Sequence, residues 1–454
     1  MTDALAIHAT AALLPGGWAD NVRITATGGQ ITAVTPGAAV QRGDERVGLL
    51  IPGLPNLHSH AFQRAMAGLG EVRGPGEDSF WSWREAMYQV AGRVDPDAMQ
   101  AIAALAYAEM LEGGFTRVGE FHYLHHAADG QSYADPAAMA SALVAATKES
   151  GIGLTLLPVF YAHAGFGGQA PQAAQRRFVS SLDGFARLHA ASAEALRALP
   201  DAVLGLAPHS LRAVTPEQLA QLVALIGDGP IHIHIAEQPR EVEECRAWSG
   251  QCPVEWLLDH APVGPNWCLV HATHMTGAET AALARSGAVA GLCPVTEANL
   301  GDGLFPASPY VEADGLLGIG SDSNVLIDAF EELRWLEYGQ RLGTLRRNVF
   351  AAEPEESTGA ALFGAAGRGG AQALGADFGI AVGHSADLVS LDPEHPALTA
   401  CPPGSRIDAL VFAAGRGAID RVWRHGAQVV SGGRHVARAA ITARYADTIE
   451  RLRA

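Results

Sequence analysis

The chain has 454 residues, 48% apolar and 17% charged, with 52 glycines and 25 prolines. That balance excludes disordered and fibrous classes and suits one large α/β barrel with a smaller companion domain. Its 31 basic and 48 acidic side chains give a formal charge of -17, which argues against nucleic acid or an anionic membrane as a partner.

The first 48 residues read as short alternating β segments, Asn21 to Thr27 and Gln30 to Val34, turning at Gly28-Gly29. The opening apolar stretch, Ala4 to Leu14, is broken by His8 and Thr10 and lacks a basic leader. Neither a secretion signal nor a membrane anchor is expected, and the chain is read as cytoplasmic. From residue 49 onward, apolar runs ending in polar residues alternate with helical stretches. The runs are LLIPGLPNLHSH, FTRVGEFHY, IGLTLLPVFY, AVLGLAPHS, PIHIHIAEQ, NWCLVHATH, AVAGLCPVTEAN and LLGIGSDS. Eight such units predict a closed, parallel (β/α)8 barrel with its active site at the strand C-termini.

After about residue 375 the β segments return in HSADLVSLDP, DALVFAAG and RVWRHGAQVVSGGRH, followed by a helix from about Ala440. The expected α/β architecture is therefore a TIM-like barrel over 49–374, a small β-sandwich domain built from both chain ends (1–48 and 375–440), and a C-terminal helix over 441–454. Cys245, Cys252, Cys268, Cys293 and Cys401 are odd in number and form no CxxC pair. They are read as reduced thiols, not as disulfides or a Cys-type zinc site. The only lysine, Lys148, falls in the polar stretch AATKESG, read as a turn. Schiff-base and phosphate-loop chemistries, which need a lysine in the site, drop out.

The polar ends of the predicted strands carry the chemistry. They are His58 and His60 on the first strand, Tyr123 on the second and His209 on the fourth. The fifth gives His234 and Glu237, the sixth His271, and the eighth Asp322. Residues two apart on a strand share a face, so His58 and His60 both point into the barrel mouth. An isolated histidine is usually a hydrogen-bonded core or surface residue, but these converge from several strands. With His234 and Asp322 they supply three nitrogens and a carboxylate, a set suited to one Zn²⁺ or similar divalent ion with an open position for water. His232 shares the face of His234. The more C-terminal position selects His234 and leaves Glu237 near enough to handle protons. By the same argument His271 is preferred to His274, while His8, His125, His126, His395 and His435 are read as structural or surface residues.

The series HSH, HxxE, a later lone His and a late SD, in a chain with β-rich ends, resembles the deaminase branch of the amidohydrolase superfamily. HSHAFQRAMAG, GEFHYLHH, APHSLRAV and CPVTEANLGDG narrow the likeness to the formimidoylglutamate deiminase family. The resemblance implies hydrolysis of N-formimidoyl-L-glutamate to N-formyl-L-glutamate and ammonia, a step of histidine breakdown. A second metal bridged by a carboxylated lysine is not expected, because Lys148 precedes the third strand.

A small dicarboxylate substrate needs cations. Arg212 is the candidate for its α-carboxylate, with His209 and Tyr123 as neighbouring donors and Gln63 carried over by resemblance. Arg84, in the segment DSFWSWRE, is the candidate for the second carboxylate, with Arg64 and Arg73 as rivals. The aromatic residues Trp81 and Trp83 suggest a lid or a subunit contact, and a homodimer is expected. Glu237 is assigned to proton shuttling toward departing ammonia, His271 to polarising or protonating the formimidoyl nitrogens, and Asp322 to metal binding and proton acceptance. Val295 stands where a small polar residue is expected, so one contact from the seventh-strand loop is expected to be missing. Competing readings are another deaminase of this branch, acting on guanine, cytosine, an S-adenosyl compound or a triazine, and a noncatalytic barrel scaffold.

Overall fold

The computed structural model describes residues 4–73 and 80–453. The segment 74–79, which includes the first two residues of DSFWSWRE, and the chain termini lie outside the described residues.

All eight apolar runs form barrel strands, and the chain begins with four strands that precede them or lie between the two domains. These four are β1 (Leu5–Leu14), β2 (Gly17–Thr27), β3 (Gln30–Thr35) and β4 (Glu45–Pro52). The barrel takes β5 (Leu54–Ser59), β6 (Phe115–His122) and β7 (Gly153–Phe160). A fourth strand is broken into β8 (Val203–Leu204) and β9 (Ala207–Pro208). Then come β10 (Ile231–Ile235), β11 (Trp267–His271), β12 (Val289–Leu292) and β13 (Leu316–Ile319). Neighbouring strands are parallel, as two runs, β5-β6-β7-β8 and β10-β11-β12-β13. Bridges from Ser59 to Asp322, from Leu206 to Ile231 and from Ser210 to His234 close the ring. Nearly every residue of these strands is buried, which is why they read as continuous apolar runs instead of alternating ones.

The chain ends meet in one eight-stranded mixed sheet that adds β14 (Leu388–Leu391), β15 (Ile419–Arg424), β16 (Ala427–Ser431) and β17 (Arg434–His435), in the order β17-β16-β15-β14-β4-β1-β2-β3. Ile7, Ile24, Ile31, Leu50, Leu388 and Trp423 give it a core of its own. Alternate residues Leu49, Ile51, Val389 and Val422 instead join the large core of the barrel, as the period of two requires. Leu49 to Pro52 thus belong to the outer sheet, and the barrel proper starts at Leu54, a few residues beyond the expected boundary at 48/49.

Two devices fix the barrel floor. The helix Thr358–Leu374 lies against β13 at backbone distance, since a Cβ on Gly369 would sit 2.0 Å from the Leu317 carbonyl oxygen. A buried cluster then ties barrel to sheet. Arg117 Nη2 donates to Asp201 Oδ2 at 2.6 Å, Arg424 of β15 donates to the same oxygen, and Arg424 Nε donates to the Thr116 carbonyl at 3.0 Å. The last helix, Arg438–Arg453, pairs Arg438 with Glu109 and Glu112. Lys148 sits in the last turn of the helix Ala138–Ser150, not in a turn, where a cation faces the negative end of the helix dipole. Among the described residues no helix is long and apolar enough to cross a membrane.

Candidate active site and metal centre

Where β5 and β10 end, three imidazoles converge. His58 Nε2 lies 3.2 Å from His60 Nε2 and 3.0 Å from His234 Nε2. Asp322 Oδ1 is 3.3 Å from His60 Nε2 and 3.5 Å from His58 Nε2. Such spacings match neighbouring ligands of an ion whose bonds are about 2.0–2.1 Å long. The donor chemistry also fits. Burial and mutual repulsion push His58 down to about 3 and depress His60 and His234, so all three are neutral at pH 7 with lone pairs free. His60 Nδ1 donates to the Phe121 carbonyl at 2.9 Å, which leaves Nε2 as the ligand atom.

His232 shows why position along the strand matters. It points inward as its spacing predicts, but one layer lower, where Nε2 bonds the Ala373 carbonyl at 2.8 Å. His274 likewise bonds the Asp302 carbonyl at 2.7 Å. His8, His125 and His435 each bond a backbone carbonyl, and His126 bonds the Val179 carbonyl and the Ser180 hydroxyl.

The backbone at the mouth is held in the left-handed region at non-glycine residues. φ is 51° at Ala236, 69° at His271, 43° at Asp322 and 57° at Asn324. Each such residue costs about 1–3 kcal/mol and persists only where its surroundings hold it. Here they do. Asp322 N–H donates to the His58 carbonyl at 3.0 Å and His60 N–H to the Asp322 carbonyl at 2.9 Å. Asn324 Nδ2 donates to Ser59 Oγ and to the His60 and Asp322 carbonyls, each at 3.1 Å. Asn324 thereby staples the eighth strand to the first. It follows Asp322 by two residues and carries no signal of its own in the sequence.

His271 faces different neighbours. Its Nδ1 is 3.2 Å from Glu297 Oε1, and its Nε2 is 3.7 Å from Glu237 Oε1 and 3.9 Å from Asp322 Oδ2. Burial lowers this imidazole, but Glu237, Glu297 and Asp322 outweigh it and push it up to about 10. Glu237 is buried too, and desolvation moves its carboxyl up, against the pull of His271 and Arg212. Glu297 escaped the sequence reading because it lies on the short helix Pro294–Leu300 beyond the seventh strand. The stretch CPVTEANLGDG contained it. Val295, on the same helix, is buried, and its N–H donates to Glu332 at 2.9 Å.

The mouth is lined by His60, Gln63, Arg84, Tyr123, His209, Arg212, His234, Glu237, His271 and Asp322, so it gathers nearly every residue singled out from the sequence, with His58 immediately beneath. Gln63 Nε2 donates to Tyr123 Oη at 2.9 Å, and the Tyr123 ring lies 5.0 Å from that of His60. Among the described residues Arg212 has one ion-pair contact, 3.9 Å to Glu241, and its Nε has no hydrogen-bond partner. Arg84 lies on the helix Phe80–Ala91 with its guanidinium 4.4 Å above the Trp81 ring. Arg84 and Arg212 also line an outer cleft, so they stand at the entrance, while Gln63 and Tyr123 stand inside. Of the rival arginines, Arg64 is engaged by Glu109 at 2.6 Å, and Arg73 is exposed outside the lining. Trp83, Tyr88 and Tyr161 also face the mouth.

Comparison with known proteins gives a consistent picture. Residues 49–429 match the model of the Amidohydrolase family, and residues 4–48 match that of the formimidoylglutamate deiminase HutF N-terminal domain. The chain is 50% identical over 436 residues to the formimidoylglutamate deiminase of Pseudomonas aeruginosa, covering 95% of each. The crystal structure of an amidohydrolase from Brucella melitensis superposes with a TM-score of 0.95 at 52% identity, covering 99% of this chain and 100% of that one. An adenosine deaminase from Xanthomonas campestris, solved with bound zinc, gives a TM-score of 0.82 at 26% identity, covering 99% and 98%.

Proposed function

The chain belongs to the amidohydrolase family, within its formimidoylglutamate deiminases, and from that premise we propose that it hydrolyses N-formimidoyl-L-glutamate to N-formyl-L-glutamate and ammonia, in histidine breakdown. The observation that carries the substrate is the pair of part-buried guanidiniums, Arg84 and Arg212, at the entrance of a chain whose net charge is -17. A dicarboxylate supplies each with a carboxylate to grip, whereas a neutral ring would leave Arg84 only its aromatic contacts and Arg212 only its long contact to Glu241.

His58, His60, His234 and Asp322 would hold one divalent ion, which we assign as Zn²⁺. When bound, such an ion lowers the pKa of water from about 15.7 toward 7 and polarises the reacting centre. The chain's own residues do the rest. The α-carboxylate lies next to the formimidoyl nitrogen, so it takes the inner donors Gln63, Tyr123 and His209. The side-chain carboxylate takes Arg84 and Arg212. This reverses the sequence expectation for Arg212, because that residue stands at the entrance. Glu237 accepts a proton from the attacking water and passes it to the nitrogen that leaves as ammonia, and burial, by raising its carboxyl, suits it to both tasks. His271, held protonated by its carboxylates, hydrogen-bonds the reacting centre, and the ionised Asp322 accepts the second proton as the new C=O forms; a formimidoyl group that enters as the amidinium already carries the other proton its nitrogen needs to leave as ammonia.

A homodimer has a surface to use in the stripe Trp335, Tyr338, Leu342 and Leu345, which are 44%, 38%, 74% and 91% exposed. Five unpaired thiols agree with a reducing cytoplasm. The test is ammonia release by the purified protein from N-formimidoyl-L-glutamate, its aspartate homologue and purines, before and after chelation and metal add-back. Turnover of purines alone would sink the substrate, and full activity in metal-free protein would sink the metal.

A further inference from the structure

Tyr161 follows the third barrel strand directly and faces the mouth, yet the contacts assigned above leave it idle. Its neighbours determine where its proton points. The backbone N–H of Gln172 donates to Gln175 Oε1 at 2.8 Å, which sets the oxygen end of that amide and turns its nitrogen the other way. Gln175 Nε2 then donates to Tyr161 Oη at 2.7 Å and reaches Tyr88 Oη at 3.5 Å. An amide nitrogen only donates, so the Tyr161 oxygen is the acceptor and its own O–H remains to be placed. Among the described residues that O–H makes no hydrogen bond. Gln175 is 2% exposed, so the amide is fixed in the wall of the site.

Burial and the adjacent Tyr88 raise the Tyr161 phenol above its ordinary range, while Arg212 and Arg84 act on it from the mouth side. It is a neutral donor at any working pH. Its ring is 4.7 Å from that of His209. A donor nearly removed from water and left unmatched is costly unless a ligand completes it.

We propose that Tyr161 is a further substrate-binding residue, whose O–H, aimed by Gln175, donates to the side-chain carboxylate held by Arg84 and Arg212. Gln175 is its positioning residue. The inference rests on the dicarboxylate reading above and deepens it, since it adds a directional donor that recognises a carboxylate at this distance from the reacting carbon.

The experiment is steady-state kinetics of metal-loaded Tyr161→Phe. KM for N-formimidoyl-L-glutamate should rise about tenfold or more with kcat unchanged, as expected when a charge-assisted bond common to ground and transition states is lost. Competitive inhibition by glutarate should weaken in parallel. With N-formimidoyl-L-2-aminobutyrate, which lacks the side-chain carboxylate, wild type and variant should be equal. Gln175→Met, which frees the phenol to rotate, should raise KM in the same sense but less, again without touching kcat. Unchanged KM and glutarate inhibition in Tyr161→Phe, or equal losses with and without the carboxylate, would overturn the proposal. Wild-type protein that releases no ammonia from N-formimidoyl-L-glutamate would remove the substrate reading instead, and the glutarate comparison would still decide the role of Tyr161.

Discussion

Replacing Arg212 by Met keeps much of the side-chain length and removes the charge at the entrance. The side chain is 12% exposed, its one ion-pair contact among the described residues is 3.9 Å to Glu241, and its Nε has no hydrogen-bond partner among them. Most of its hydrogen-bonding capacity is therefore available to a ligand. Two unit charges about 4 Å apart at an effective dielectric of about 20 attract by about 4 kcal/mol, which falls within the roughly 2–5 kcal/mol lost when one partner of a desolvated pair is truncated. A loss of that size lowers kcat/KM for N-formimidoyl-L-glutamate on the order of 10²- to 10³-fold. Arg212 also pulls the Glu237 carboxyl down, so in Arg212→Met that carboxyl rises and the acid limb of the kcat profile moves to higher pH. The assay is coupled ammonia detection across pH, with an analogue lacking the side-chain carboxylate as control and a thermal melt to confirm folding. Equal losses for both substrates in a folded variant, or none for either, would refute a carboxylate contact at Arg212.

Glu297→Gln removes the charge beside His271 Nδ1. We expect kcat to fall about 10- to 100-fold, as for other residues that orient a histidine in a metal site, with the basic limb moving to lower pH because the charge that raises His271 is gone. Asp201→Asn leaves Arg117 and Arg424 facing each other without their shared carboxylate and should cost about 3–5 kcal/mol in urea unfolding at pH 7. Those arginines hold the Asp201 carboxyl below its ordinary value against the effect of burial. Its contribution is thus fully present above the unfolded pKa of about 3.9 and is lost as pH falls through the folded one, so the wild type and variant should converge on acidification. Gly369→Val places side-chain atoms where a Cβ alone is already 2.0 Å from the Leu317 oxygen, and the protein should then be recovered largely as insoluble or metal-free material.

The barrel was legible because parallel strands buried on both faces produce continuous apolar runs, and because a metal site gathers histidines and a carboxylate at their ends. What stayed hidden follows from the same physics. Leu49 to Pro52 run on into Leu54, and only the Pro52-Gly53 step within the apolar run marks where one sheet hands the chain to the next. Tyr161 went unread because a phenol ending an apolar run looks like core until its proton is traced. Glu297 lies beyond a strand, in a short helix, and Asn324 acts through the His60 and Asp322 carbonyls and the Ser59 and Ser321 hydroxyls. Such residues are visible only when their partners, distant in sequence, are in place.

The reaction changes the formimidoyl carbon but neither carboxylate, and this divides the site by kinetic consequence. The contacts proposed from Arg84, Arg212, Tyr161, Gln63 and Tyr123 to the carboxylates would be equally strong in substrate, transition state and N-formyl product, so they should lower KM and do little for kcat. His271 and Glu237, by contrast, meet charge that changes during the reaction. The environments agree with the division. Three histidines crowd one another and are neutral, whereas the fourth is surrounded by carboxylates and is charged. Identical side chains take opposite protonation states because burial lowers His58, His60 and His234 and at the first two outweighs Asp322, while at His271 Glu237, Glu297 and Asp322 together outweigh burial. The variants above should accordingly separate, with Arg212→Met and Tyr161→Phe acting chiefly through KM and Glu297→Gln through kcat. A Glu297 variant that altered only KM would mean that His271 is a binding residue and that its hydrogen bond to the reacting centre does not strengthen in the transition state.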